Sequence, residues 1–212
     1  TSKMANNNPA HIVLTNVRLS YTHLDKPYSN NGGEPKYSAT ILVPKTDPAN
    51  KQKIDAAIRA ATARMREKKG NSFPETPKTS VHDGDGVRPS DGQPFGDECK
   101  GCWVFTASSK TQPDCRDQYK QPLLDGSELY SGVWAHVGVT FFGYDSGSNK
   151  GIGVALDTVM KARDGEPLGG MRASADDDFA DIPTTVAAPE TAAAGSSTIT
   201  GYDPNTFAPI YG

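Results

Sequence analysis

The chain is poor in cysteine, with 3 among 212 residues, sparing in aromatic side chains at 8%, and without any run of apolar residues long enough to cross a bilayer. Cys99, Cys102 and Cys115 are an odd number in a chain large enough to build its own core, which argues against a disulfide framework and for a reducing compartment. No basic start leads into an apolar segment with a small-residue cleavage pattern, so no export and no membrane association are expected. Glycine-rich phosphate loops, a nucleophile elbow and HExxH are all missing, which removes the common motif-bearing hydrolases.

What is present is glycine and proline, 21 and 16 residues, spread too evenly for a helical bundle. The formal charge is −3, but it is divided along the chain. Residues 1–172 hold all 22 Lys and Arg against 19 acids, whereas residues 173–212 hold six acids and no base. A mildly basic body with a −6 tail leaves a polyanion ligand open despite the total charge. The divisions expected are a flexible segment 1–10, one domain over 11–172 and an acidic, low-complexity tail over 173–212.

Within the body, Val13, Val17, Leu19 and Tyr21 recur at even spacings and predict a half-buried strand, ended by the Asn-, Gly- and Pro-rich stretch 25–35. Tyr37, Ala39, Ile41 and Val43 alternate with Lys36, Ser38, Thr40 and Leu42 in a second strand. Asp47 and Pro48 form a cap and first-turn signal, and Ile54, Ile58, Ala61 and Met65 follow at helical spacing on an otherwise basic helix. Residues 70–98 are dense in Pro, Gly, Asp and Ser and predict an irregular excursion outside the main strands. Trp103, Phe105 and Ala107 then alternate with Cys102, Val104 and Thr106. In the next strand Val133, Ala135, Val137, Val139 and Phe141 share one face, leaving Trp134, His136, Gly138, Thr140, Phe142 and Tyr144 on the other. Ile152, Val154, Leu156, Thr158 and Met160 mark its partner. Many strands, one early helix and no βαβ alternation predict an all-β-dominated small barrel. Aromatics on an outer face need a cover or a ligand.

The segments YSGVWAHVGVTFFGYD, Tyr130 to Asp145, and KGIGVALDTVMKARDGEPLGG, Lys150 to Gly170, followed by the acidic DDDF, resemble phage and prophage single-stranded DNA-binding proteins with an OB fold, distantly similar to podophage replication proteins. The resemblance extends more weakly over residues 11–181. It implies an OB barrel that binds single-stranded DNA with little sequence preference in the bacterial host's cytoplasm, in replication or recombination. It also implies an acidic tail, here Asp176, Asp177, Asp178, Phe179 and Asp181, that meets replication or recombination proteins and competes with DNA. About thirty residues follow Asp181, where tails of this kind usually end.

Binding a single strand without sequence preference requires rings on which bases stack and cations that meet phosphates. The ring candidates are Trp134, Phe142, Tyr144, Trp103 and Tyr119; the cation candidates are Lys36, Lys110, Arg116, Lys150, Lys161 and Arg163. A homodimer is compatible with this reading. No cofactor or catalytic residue is expected. His82, Cys99, Cys102 and Cys115 have ligand chemistry for zinc but not a standard finger spacing, and Asp83, Asp85, Asp91 and Asp97 do not follow a calcium-loop pattern. The alternatives are a phage structural or recombination accessory protein using the barrel for protein contacts, and, more remotely, a metal-dependent nuclease.

Overall fold

The computed structural model describes residues 7–29, 32–124 and 126–168, together with the backbone of 199–202 and 209–211. The chain divides into two compact units, Thr1–Met171 and Arg172–Gly212. The first unit contains β1 (His11–Tyr28), β2 (Lys36–Pro44), α1 (Pro48–Lys69), β3 (Lys78–Thr79), β4 (His82–Asp83), β5 (Cys102–Ser109), β6 (Asp114–Arg116), β7 (Trp134–Ser146) and β8 (Asn149–Arg163).

Five strands close into a barrel in the order β1-β2-β5-β8-β7 and back to β1. The pairs β1–β2, β2–β5, β7–β8 and β1–β7 are antiparallel, and the closing β5–β8 pair is parallel, with Ser108 opposite Ala155. This five-stranded closure with one inserted helix is the OB fold. Its interior is packed with the alternate residues of every strand, among them Leu19, Ile41, Val43, Phe105, Val137, Val139, Phe141 and Leu156. The Phe105 and Phe141 rings meet at 6.0 Å, tilted by 46°, an arrangement that suits the opposed charge of ring edge and face.

The helix begins where the cap signal places it: Asp47 Oδ1 accepts from the Ala49 N–H at 3.1 Å, with Pro48 in the first turn. Ile54, Ala57 and Ala61 are buried, and Met65 fits over Gly143 of β7, where any Cβ would overlap its side chain. Gly70, at φ +58°, ends the helix and donates its N–H to Arg66 O. From there to Glu98 the chain forms one short 3-10 turn at Gly70–Ser72, the start of another at Asp97 and the two-residue strands β3 and β4, which add to β8 and β5 from outside. The irregular excursion expected there is therefore what the structure contains.

Bulges change the expected inward set at three places. Asn16, at φ +53°, interrupts the β1–β7 register between Leu14 and Val17, so Leu14 turns inward and Val13 faces out. Tyr21, at φ +47°, coincides with a second shift and is 69% exposed instead of completing the inward row. In β8 the register shifts opposite Gly138 and Val139; beyond it Val159 and Lys161 point inward, while Thr158 and Met160 do not continue the buried row. An extra residue reverses the parity of all that follow, and strict alternation cannot reveal it. The first strand also runs on to Tyr28, beyond the expected end.

In the second unit, β9 (Ile199–Tyr202) and β10 (Pro209–Tyr211) pair antiparallel. The β-formers Ile199, Tyr202, Ile210 and Tyr211 suit this pairing, which the overall composition of the tail had obscured. Asp176, Asp177, Asp178, Phe179 and Asp181 lie outside the described residues.

Candidate nucleic-acid interface

The outer face of β1, β7 and β8 carries Trp134, His136, Thr140 and Phe142 along one strand, flanked by Arg18 and Val13 from β1 and by Arg163, Met160 and Thr158 from β8. Strand registry brings three of them together, because Trp134 pairs with Arg18 on one side and Arg163 on the other. The Arg163 guanidinium lies 4.3 Å from the indole centre and that of Arg18 lies 5.9 Å away, both within cation–π range. Arg18 is held by two backbone carbonyls, Nε donating to Gly132 O at 3.2 Å and Nη2 to Glu166 O at 2.6 Å.

Two glycines make this corner. The chain leaving β8 crosses the residues before β7 so closely that a Cβ on Gly132, at φ +112°, would overlap Glu166 O, and one on Gly165 would overlap Gly132 O and press on the pyrrole edge of Trp134. Leu168 N–H donates to Ser131 O at 2.7 Å, while its side chain packs with Leu42, Cys99 and Val104. Residues 164–168 thus separate the Trp134 face from the outer side of β2 and β5.

Further along the first face, a cavity of about 560 Å³ is lined by Val13, Arg116, Lys120, His136, Thr158 and Met160. His136 Nδ1 accepts from the N–H of the bulge residue Asn16 at 3.1 Å, so a neutral ring carries its proton on Nε2. Burial lowers the His136 pKa below the ordinary histidine value. Asn50 of α1 serves the same bulge: its Nδ2 donates to Thr15 O and its Oδ1 accepts from Thr15 N–H. Beyond, Thr140 Oγ1 donates to Asp157 at 2.5 Å, and His11 Nδ1 lies 3.0 Å from both.

The expected site residues divide into two sets. Trp134, Arg163 and Arg116 border this face, with Phe142, 46% exposed over Gly153, and Tyr144, over Gly151, farther along β7. Arg116 forms a two-pronged pair with Asp114, both hydrogen bonds at 2.9 Å. Tyr119, 74% exposed, stands on the neighbouring turn closed by Asp117. The remaining five are elsewhere. Trp103 packs against the barrel core with the Lys45 and Lys51 ammoniums 4.9 and 4.7 Å from its ring centre. Lys161, only 8% exposed because of the β8 bulge, pairs with Asp164 at 2.9 Å and Glu128 at 3.7 Å. Lys150 donates to Ser72 O at 2.5 Å, Lys110 pairs with Glu34 at 2.9 Å, and Lys36 stands opposite Tyr28.

Arg18, Lys120, His136 and Met160 were not among the residues expected at the site. Arg18 had a signal, since it occupies an outward position of an alternating strand, but its meeting with Trp134 depends on β1 pairing with β7. A second cluster escaped for the same reason. Tyr21, Thr40, Thr106, His82, Phe95 and Arg88 line a cavity of about 370 Å³ on the outer side of β2 and β5. Nearby, His23 and Tyr28 stack at 4.4 Å.

The cysteines are packed rather than displayed. Burial pushes the Cys99 and Cys115 thiols up to about 11 and raises Cys102 as well. Among the described residues no three His, Cys, Asp or Glu side chains are grouped so as to hold a metal ion, and no helix is long and apolar enough to cross a membrane.

A closed five-stranded barrel with a ring-and-guanidinium outer face defines an OB-fold protein with a surface suited to a single nucleic-acid strand. Residues 10–190 match the family described as Enterobacter phage Enc34, ssDNA-binding protein, and the chain belongs to that family. The structure is similar to that of the single-stranded DNA-binding protein from bacteriophage Enc34 in complex with ssDNA, at 34% identity and a TM-score of 0.64, covering 79% of this chain and 97% of that one. Another structure of the single-stranded DNA-binding protein from bacteriophage Enc34 is 33% identical, with a TM-score of 0.63 over 84% of this chain and 97% of that one. The single-stranded DNA-binding protein gp2.5 of bacteriophage T7 is 14% identical, with a TM-score of 0.49 over 84% and 97%. Comparison with curated proteins gives no match.

Proposed function

We propose that this chain binds single-stranded DNA without sequence preference, protecting and organising it in phage replication or recombination, with the strand laid across the outer face of β1, β7 and β8. The observation that carries the choice of face is Trp134 beside two guanidiniums that have no carboxylate partner among the described residues. Cations left unpaired at a flat ring are what a phosphate chain with exposed bases requires. From Trp134 to Phe142 the strand advances by eight steps, roughly 26 Å at about 3.3 Å per residue. Arg116, Phe142, Tyr144 and Tyr119 extend the track; Lys36, Lys110, Lys150, Lys161 and Trp103 support the barrel and its loops. The domain works without a cofactor and without catalysis, in the cytoplasm of a bacterial host. The acidic tail engages replication or recombination proteins, and the chain is compatible with a homodimer.

Equilibrium binding of labelled oligo-dT and of a duplex to the full chain tests the function. Tighter binding to the single strand, weakened by salt and by Arg163→Ala, is expected; equal binding to both forms would refute it. A second track is favoured by one observation, the 69% exposed Tyr21 held at positive φ beside the β2–β5 cavity. Backbone strain at an exposed ring is often retained for contact with a ligand, and strands two and three of OB barrels commonly take oligonucleotides. Tyr21→Ala weakening binding while Arg163→Ala does not would move the strand to that face.

A further inference from the structure

We infer that Trp134 is not a base-stacking platform but the spacer of a phosphate clamp, holding the guanidiniums of Arg18 and Arg163 in place for the DNA backbone. This rests on the proposed β1–β7–β8 track and assigns the contact within it.

The ring is already in use. One guanidinium lies 4.3 Å from its centre, a second at 5.9 Å, and the Gly165 backbone closes on its pyrrole edge. A base stacking where Arg163 lies would have to displace that guanidinium from the indole and forgo its cation–π attraction, and Arg18 flanks the ring from the opposite strand. A phosphate has no such cost, because it takes the guanidinium N–H donors that the Gly132 and Glu166 carbonyls leave free and needs no face of the ring. Arg18 is fixed further by the carbonyls of Gly132 and Glu166, which orient it without cancelling its charge.

The local acids are occupied as well. Asp164, next in sequence to Arg163, is bound to Lys161 Nζ at 2.9 Å and accepts from Tyr130 OH at 3.0 Å, and Glu128 faces the same ammonium at 3.7 Å. Lys161 is thus a positioning residue that keeps two carboxylates off the clamp, and Trp134 is one that keeps two cations on it.

Salt dependence separates a clamp from a stack. Removing one phosphate interaction lowers the slope of log K against log salt by about 0.7 for a single strand, whereas removing a stacked base weakens binding without changing that slope. The full-length protein is measured with oligo-dT over a salt series, alongside Arg163→Ala, Trp134→Leu, their double variant and Trp134→Phe. The clamp requires Trp134→Leu to lower the slope as Arg163→Ala does, the double variant to weaken binding by less than the two single effects combined, and Trp134→Phe, which keeps a ring face, to stay close to the parent. Weaker binding by Trp134→Leu at unchanged slope, additive with Arg163→Ala, would overturn the inference while leaving the track in place. Unchanged affinity and slope in Arg163→Ala would remove the track itself and the clamp with it. Thermal melting identifies any variant that fails to fold. If Trp134→Leu does, Arg163→Lys replaces it: charge kept but the flat stack removed, so a slope equal to the parent's overturns the clamp and a reduced slope supports it.

Discussion

Lys161 Nζ and Asp164 Oδ1 lie 2.9 Å apart at the end of β8, with Glu128 Oε2 3.7 Å from the same ammonium, so that a nearly buried lysine neutralises two exposed carboxylates. Lys161→Met removes that neutralisation without touching the outer face. The expected outcome is weaker oligo-dT binding at low salt with little change in melting temperature, the loss shrinking as ionic strength rises. Retained low-salt affinity would show that Glu128 and Asp164 do not influence the DNA track.

The same pair predicts a response to acid. The hydrogen bonds from Lys161 and Tyr130 hold the Asp164 carboxyl below its ordinary range. Its contribution is complete above the unfolded carboxylate pKa and is lost as pH falls through the lower folded value. Asp164→Asn should therefore narrow the stability difference between pH 5 and pH 2, as measured by denaturant melts.

His136 should titrate below the ordinary histidine value, because burial disfavours the imidazolium and Nδ1 is committed to the Asn16 N–H. The folded state holds the neutral ring, so this contribution is full above the unfolded pKa and declines as pH falls towards the folded one. NMR titration of the ring carbons gives the value directly. Replacement by Gln, which keeps an acceptor, should flatten stability between pH 7 and 5; an ordinary or raised histidine pKa would contradict the assignment.

Gly132→Ala introduces a Cβ onto the Glu166 carbonyl at φ +112°, where both sterics and backbone conformation oppose it. A loss of about 2 kcal/mol or more is expected by denaturant unfolding, since strain at such a position and overpacking each cost on the order of 1–3 kcal/mol. Gly147→Ala, at φ +74° with open space around it, should cost less.

Truncation after Arg172 removes six acids and no base. If the tail competes with DNA for the cationic face, the truncated chain should bind oligo-dT more tightly at low salt, with the two forms converging as salt rises. Equal low-salt affinities would end the competition model but leave partner contacts by the tail open.

The chain sequence by itself determined the barrel strands, the helix start and the acidic end, because these depend on local periodicity, caps and composition. Val137, Val139 and Phe141 could be read as inward from alternation alone, and Asp47–Pro48 as a helix start from two adjacent residues. Trp134 was readable as an outward group for the same reason, and Arg116 and Arg163 as cations of a loop and a strand end. Tertiary structure alone decided which of those groups meet. Arg18 and Trp134 are 116 positions apart in sequence and become neighbours only when β1 pairs with β7. It also decided the direction of Lys161, Val13 and Tyr21, since a single extra residue in a strand reverses every side chain beyond it. A bulge is held by partners distant in sequence, as Asn50 and His136 hold Thr15 and Asn16, so its position cannot be read from the strand that contains it.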